Sequence, residues 1–136
     1  MYMPSPQGLE VKISTIPSAG MGLFTLESVG KGDVICEYTG DHLVTRDAIR
    51  KTNKSFLMRL GPQVYVDAMN HQEVLARYIN DCRNSRFYNA KFEKIPEQKK
   101  ALVVATRRIR GGEEIFADYG RWYWLSSEPV ILMERS

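Results

Sequence analysis

Cysteine is scarce in this chain. The 136 residues include two, Cys36 and Cys82, too few for a disulfide framework or a cysteine-rich zinc cluster, and each reads first as a small buried hydrophobe. Histidine is equally sparse. His42 and His71 lie far apart without ligand-like company, so no metal site is expected and both read as surface or turn residues. No run approaches the roughly 20 consecutive apolar residues of a membrane-crossing helix. The opening Met1-Tyr2-Met3-Pro4 lacks a charged and then apolar leader, so a soluble intracellular protein with no membrane partner is expected. The formal charge is only +3, and the cations come in small groups such as Arg107-Arg108-Ile109-Arg110 and Lys99-Lys100. Direct sequence-specific nucleic-acid contact calls for a denser basic stripe; these groups read as a solvated face.

The length is that of one domain able to bury a core without staples. Strand signals dominate. Residues 10–15 alternate apolar with polar, and 34–38 are apolar and β-branched. Residues 56–60 and 64–67 flank the Gly61-Pro62 turn as a hairpin. Residues 89–94 and 101–106 form a second hairpin around Pro96 and a charged tip, and 115–117 add one short strand. Two short helices are predicted. One covers 45–52 with Thr45 as N-cap. The other opens at Asn70, reinforced by Glu73, carries Val74, Leu75, Tyr78 and Ile79 on one side, and delivers Asn80 at its end. The expected fold class is β-rich, mainly β with few short helices arranged as small curved sheets.

Four short segments stand out in order: Gly20-Met21-Gly22-Leu23-Phe24, then Glu37-Tyr38-Thr39-Gly40-Asp41, then Ala76-Arg77-Tyr78-Ile79-Asn80-Asp81-Cys82, then Gly111-Gly112-Glu113-Glu114-Ile115-Phe116-Ala117-Asp118-Tyr119-Gly120. Each alone is weak, since a glycine pair is a turn more often than a ligand site. Together, in this order, they resemble the motif series of the SET domain, over nearly the whole chain. The resemblance divides the chain into an N-terminal extension (1–10), a SET domain (11–124) and a C-terminal tail (125–136). It implies a C-terminal segment threaded beneath a neighbouring loop as a pseudoknot, a connection rare in folds generally. It also implies methylation of protein lysines from S-adenosyl-L-methionine, which becomes S-adenosyl-L-homocysteine.

Such a transfer is an in-line displacement, so the protein must mainly align two reactants and exclude water. That suits a site without a Ser-His-Asp set. By the resemblance, Tyr119 is the catalytic tyrosine, and Tyr38 lines the lysine channel, where an aromatic wall desolvates the amine. Gly20, Met21, Gly22 and Leu23 form the cofactor loop, where glycine permits close backbone approach. Arg77, Tyr78, Asn80 and Asp81 match the Arg-Phe-Ile-Asn-His run that holds the cofactor, and Phe56 matches an aromatic near it. Phe116 and Ala117 precede the catalytic tyrosine along the substrate channel. Ala117 replaces a position often Phe or Tyr, and the room it leaves predicts capacity for more than one methyl.

The departures are specific. Asp81 stands where the family has histidine, and the family's following asparagine fits Asn89 only after about three inserted residues. No cysteine follows Tyr119 to build the zinc cluster that closes the site in many relatives. Trp122 and Trp124 either replace that cluster as a lid on the channel or anchor the C-terminus. The leading reading is a compact protein-lysine N-methyltransferase whose partner is a lysine-containing protein, with a histone tail as default. A histone substrate would imply a nuclear location, and the pattern leaves a homodimer open. The alternative is a catalytically weakened SET-like protein-interaction module. A basic nucleic-acid-binding β-domain ranks third, because Arg107, Arg108 and Arg110 would be scattered by their spacing.

Overall fold

A computed structural model describes residues 8–120 and Tyr123. Trp122, Trp124 and the segment 125–136 lie outside the described residues, so the lid and anchor readings of the tryptophans are not addressed by it. Eight short strands form three antiparallel sheets. Strand β1 (Leu9–Ile13) pairs with β2 (Met21–Thr25), with Ile13 opposite Met21. Strand β3 (Val34–Tyr38) lies beside β8 (Lys100–Ala105), which pairs in turn with β7 (Ala90–Ile95). Strand β4 (Asp41–Leu43) and β5 (Leu57–Gly61) flank β6 (Val64–Asp67). The fold is thus β-rich with small antiparallel sheets, as the sequence predicted. The hairpins β5–β6 and β7–β8 fall where turn chemistry placed them. Pro96 opens a 3-10 turn at the second tip, and Lys99 closes it in the left-handed conformation.

The helices differ from expectation. Helix α1 spans Thr45–Ile49, but its N-cap is Val44, with no side-chain cap. Thr45 instead uses its backbone N–H to reach Gln63 Oε1 at 3.2 Å. The helix expected from Asn70 is only a 3-10 turn, Leu75–Tyr78, preceded by Val74 in extended conformation. The carboxylate expected to cap it is engaged elsewhere. Glu73 Oε2 lies 3.1 Å from His71 Nδ1, while His71 Nε2 lies 2.7 Å from Asp41 Oδ1. The carboxylate meets a neighbour two residues away, and that histidine is tied in turn to β4.

His71 therefore sits between two carboxylates, one on the strand that follows Tyr38 and one on the turn that feeds Arg77. Hydrogen bonding to Asp41, then to Glu73, raises its pKa above the ordinary value. Because the folded value is the higher one, the stabilisation is fully present below the unfolded histidine pKa and is lost as pH rises through the folded value. Asp41→Asn is expected to lower the His71 pKa, measured by NMR titration of the imidazole. An unchanged titration would show that the pairing carries no weight in solution.

The core runs through all three sheets, with Leu23, Ile35, Val66, Ile79, Val103, Ile109 and Ile115 fully buried. Each such side chain contributes about 1.5–3 kcal/mol of burial free energy. The core also fixes the path of the C-terminal segment. Asn80 and Phe116 form a parallel bridge, as do Ala90 and Ala117. The Ala117 N–H donates to the Asn80 carbonyl at 3.2 Å, and the Phe116 carbonyl accepts from Asn89 and Ala90 N–H, each at 3.1 Å. Buried Asn89 clamps the same stretch, accepting from Phe116 N–H and donating to the Glu114 carbonyl, both at 2.9 Å. Residues 114–117 are thus held on both flanks by the ends of the 81–88 loop, the pseudoknot-like arrangement expected of the C-terminal segment.

Candidate active site

Two phenols, the buried Tyr38 and the half-buried Tyr119, lie in the wall of one cavity of about 230 Å³. Tyr38, at the end of β3, donates its hydroxyl proton to the Phe56 carbonyl at 2.6 Å. Tyr119 donates to the Ile79 carbonyl at 2.6 Å. Burial pushes both pKa values well above the ordinary tyrosine range, with the Tyr119 phenol as the second influence on Tyr38 and the Tyr123 phenol as the second on Tyr119. Both hydroxyls therefore stay protonated, and each proton is committed to a backbone carbonyl. What such a phenol has left to offer is acceptor capacity. Phe92 meets Tyr38 edge to face at 5.9 Å between ring centroids, and Tyr123 meets Tyr119 in the same manner at 4.6 Å.

The chain approaches this cavity through a close backbone contact. A Cβ on Gly40, two residues after Tyr38, would collide with the Asp67 carbonyl, so the turn that carries Tyr38 into β4 needs glycine. On the other wall, Arg77 donates from Nη1 to the carbonyls of Ala68 and Met69 at 2.8 and 2.9 Å. Its guanidinium lies over Phe56, 4.0 Å from the ring centroid, a cation–π contact that orders both side chains. Its Nε is buried and has no hydrogen-bond partner among the described residues.

Beside the cavity a second group assembles around Glu114. This buried carboxylate accepts from Ser14 Oγ at 2.7 Å, Thr15 N–H at 2.8 Å and Thr15 Oγ1 at 2.6 Å, with Asn80 Nδ2 at 3.4 Å. Asn80 Nδ2 also donates to the Met21 carbonyl at 2.9 Å. The carboxylate thus ties together the turn between β1 and β2, the glycine segment and the threaded strand. Gly22 is required here, since a Cβ on it would run into the Glu114 carboxylate.

Asp81 joins the groups. Its Oδ2 accepts the Tyr119 N–H at 2.9 Å, and its Oδ1 accepts the Arg83 N–H at 2.8 Å and the Tyr88 hydroxyl at 2.6 Å. Burial first, and then this bond, raise the Tyr88 pKa. Asp81 stands where a cofactor-packing histidine was expected, and its carboxylate fixes the backbone of Tyr119. Asp81→Ala is expected to cost about 2 kcal/mol in stability, because three donors lose their acceptor. It should also lower kcat by about tenfold through displacement of Tyr119. Tyr88→Phe removes one bond, so a cost of about 1 kcal/mol is expected. Melting curves and single-turnover rates of both variants check this; wild-type behaviour of Asp81→Ala would refute the anchoring role.

The sequence-predicted residues divide into three sets. Tyr38, Phe56, Arg77 and Tyr119 line the cavity. Met21, Gly22, Asn80 and Asp81 gather beside it through the bonds described, with Gly20 at the entry to the loop. Tyr78 adds its ring 5.3 Å from the Arg77 guanidinium. Leu23, Phe116 and Ala117 take neither position: Leu23 and Ala117 are fully buried in the core, and the Phe116 backbone is pinned between Asn80 and Asn89. Ala117 pairs with Ala90 in the parallel bridge and is not among the residues that line the cavity. Sequence reasoning did not single out Phe92, Arg59 and Lys94, which also line the cavity. The period-2 alternation of β7 places Ala90, Phe92 and Lys94 on one face, a signal present in the sequence.

Gly20 holds φ +78 with open space where a Cβ would stand, leaving its backbone approachable by a ligand. The unpartnered Arg77 Nε is a donor suited to an anionic or carbonyl group.

A small β-rich domain that threads its C-terminal segment between two flanks and encloses paired phenols beside a glycine loop defines a distinct class. The SET domain family model matches residues 20–120, and the chain belongs to that family. It is 31% identical over 120 residues to a histone-lysine N-methyltransferase, H3 lysine-4 specific, from Cryptococcus neoformans var. neoformans serotype D, covering 82% of this chain and 8% of that protein. It is 33% identical over 106 residues to histone-lysine N-methyltransferase set1 of Dictyostelium discoideum, covering 72% and 7%. Against histone-lysine N-methyltransferase EZ1 of Oryza sativa subsp. japonica the identity is 32% over 107 residues, covering 74% and 12%. The chain thus matches about a tenth of the length of these relatives. No helix among the described residues is long and apolar enough to cross a membrane.

Proposed function

We propose that this chain is an S-adenosyl-L-methionine-dependent protein-lysine N-methyltransferase, with a lysine in a histone tail as its first candidate substrate and the nucleus as its place of action. The observation that carries the reading is the pair of phenols, Tyr38 and Tyr119, each locked to a backbone carbonyl in the wall of one cavity. S-adenosyl-L-methionine, when bound, supplies the electrophilic methyl group. Met21, Gly22, Arg77, Asn80 and Asp81, with Gly20, would hold it, directly or through neighbouring backbone. Tyr38, Phe56 and Phe92 strip water from the entering lysine side chain. Desolvation disfavours the ammonium form and so raises the share of neutral, nucleophilic amine. The Tyr119 oxygen, its own proton held by Ile79, accepts from donors on the reacting groups and orders them for in-line approach. The lysine proton leaves to solvent before transfer.

The relatives' printed names support the substrate class, and the described geometry supports the division of labour. Calorimetry with S-adenosyl-L-homocysteine tests the cofactor half, and mass spectrometry of histones incubated with the protein and S-adenosyl-L-methionine tests the transfer. Absence of measurable binding in a folded sample would favour the interaction-module reading. Binding with mass gain on a lysine supports the enzyme.

A further inference from the structure

The cavity of the two phenols has a rim of one sign. Of the residues that line it, Ser55, Arg59 and Lys94 are exposed and so form its mouth, while Tyr38, Leu57, Ala76 and Ile79 are buried behind them. Among the described residues, the charged side chains of the lining are Arg59, Arg77 and Lys94, and no carboxylate is among them. Arg77 is held inside by two backbone carbonyls and Phe56. Neither Arg59 nor Lys94 has a side-chain ion pair or hydrogen bond among the described residues, whereas Lys51 and Lys100 are paired with Asp67 and Glu37 at 2.8 Å each. The two cations stand on β5 and β7, which pack against each other, and burial, and then the Arg59 charge, lower the Lys94 pKa. Of the residues proposed to hold the cofactor, only Arg77 is in this lining, tied at the inner wall to two backbone carbonyls, while Gly20, Met21, Gly22, Asn80 and Asp81 are outside it, so the exposed mouth at Arg59 and Lys94 is assigned to the substrate.

We infer that the mouth formed by Arg59 and Lys94 selects a target lysine flanked by anionic residues, aspartate or glutamate, and discriminates against one set in a run of cations. This rests on the methyltransferase reading and redirects its substrate class, because histone tails are rich in lysine and arginine and the mouth favours a lysine with acidic neighbours. Two unpaired cations at the entry attract a flanking carboxylate and repel a flanking arginine. The effect acts on the peptide's approach and register and leaves the amine chemistry untouched. Because both cations are exposed, each contact changes affinity only a few-fold, and reversing the sign of two flanks gives about tenfold in all.

The test uses the full chain and synthetic peptides with one lysine flanked on both sides by Glu, Gln or Arg. Binding is read by fluorescence anisotropy, and kcat/KM by mass spectrometry with S-adenosyl-L-methionine. The expected order in both is Glu, Gln, Arg, with about tenfold between the ends and compression at high salt. Arg59→Glu and Lys94→Glu each narrow the spread, and together they invert it. Equal behaviour of the three peptides, or preference for Arg flanks, overturns the inference even when methyl transfer is robust. If no peptide is methylated but the binding order holds and inverts in the double variant, the mouth is confirmed as an anion-selective docking site, and only the transfer reading fails.

Discussion

Tyr119→Phe is expected to lower methyl transfer by about 10²-fold or more, the scale seen when one preorganised polar group is removed from a reaction centre, while leaving the protein folded. The structural cost should be small. The lost hydroxyl donates to the Ile79 carbonyl at 2.6 Å, and loss of that bond costs about 1 kcal/mol with some relaxation. The ring stays in place because its backbone N–H remains on Asp81 and its contact with Tyr123 is kept. Binding of S-adenosyl-L-homocysteine should change only a few-fold, since Met21 and Asn80 are held by Glu114 independently of this phenol. The measurement is kcat under saturating cofactor, beside calorimetry and a melting curve. Undiminished turnover would remove Tyr119 from the reaction centre. A large drop in melting temperature would instead mark the hydroxyl as a structural bond.

The two tyrosines were legible in the sequence because each is embedded in a short segment with a fixed backbone need. Gly40 must be glycine beside the Asp67 carbonyl, so Tyr38 comes with a readable neighbour. Asp118-Tyr119-Gly120 ends the segment expected as a strand over 115–117, which is held instead by isolated bridges and by Asn80 and Asn89, themselves polar markers. The β5–β6 and β7–β8 hairpins were legible for the same reason, through Gly61-Pro62 and Pro96. Tertiary partners were hidden. Nothing in the pair Glu113-Glu114 tells which carboxylate is buried, since that depends on Ser14 and Thr15 near the other end of the chain. Glu73 carried the pattern of a helix cap, and its carboxylate bonds locally to its own backbone and to His71, which the distant Asp41 holds in place. Ala117 invited an argument from volume, whereas its burial in the core beside its bridge partner Ala90 was not readable from the sequence. Side-chain size in a sequence reports the space a residue vacates and leaves unstated which neighbour fills it.

Glu114→Ala is expected to be the most destabilising single substitution in the site, by about 2–4 kcal/mol. Three short hydrogen bonds, from Ser14 Oγ, Thr15 N–H and Thr15 Oγ1, lose their acceptor at once; buried Ser14 left without a partner costs about 1–3 kcal/mol, and exposed Thr15 adds less because water takes up its donors. The sum is less than additive because water can enter part of the space. Against a total stability of about 5–15 kcal/mol, this should lower the melting temperature by roughly 10–20 °C for a domain of this size. The same change releases Asn80 from the carboxylate, so the hold on the Met21 carbonyl loosens and cofactor binding weakens as well. A double-mutant cycle separates this latch from general fragility. Gly22→Ala alone places a methyl group against the Glu114 carboxylate and is expected to destabilise strongly. In the Glu114→Ala background that collision is gone, so Gly22→Ala should cost far less there than in the parent. Equal costs in the two backgrounds would show that the glycine is needed for its backbone alone and that the carboxylate does not close on it.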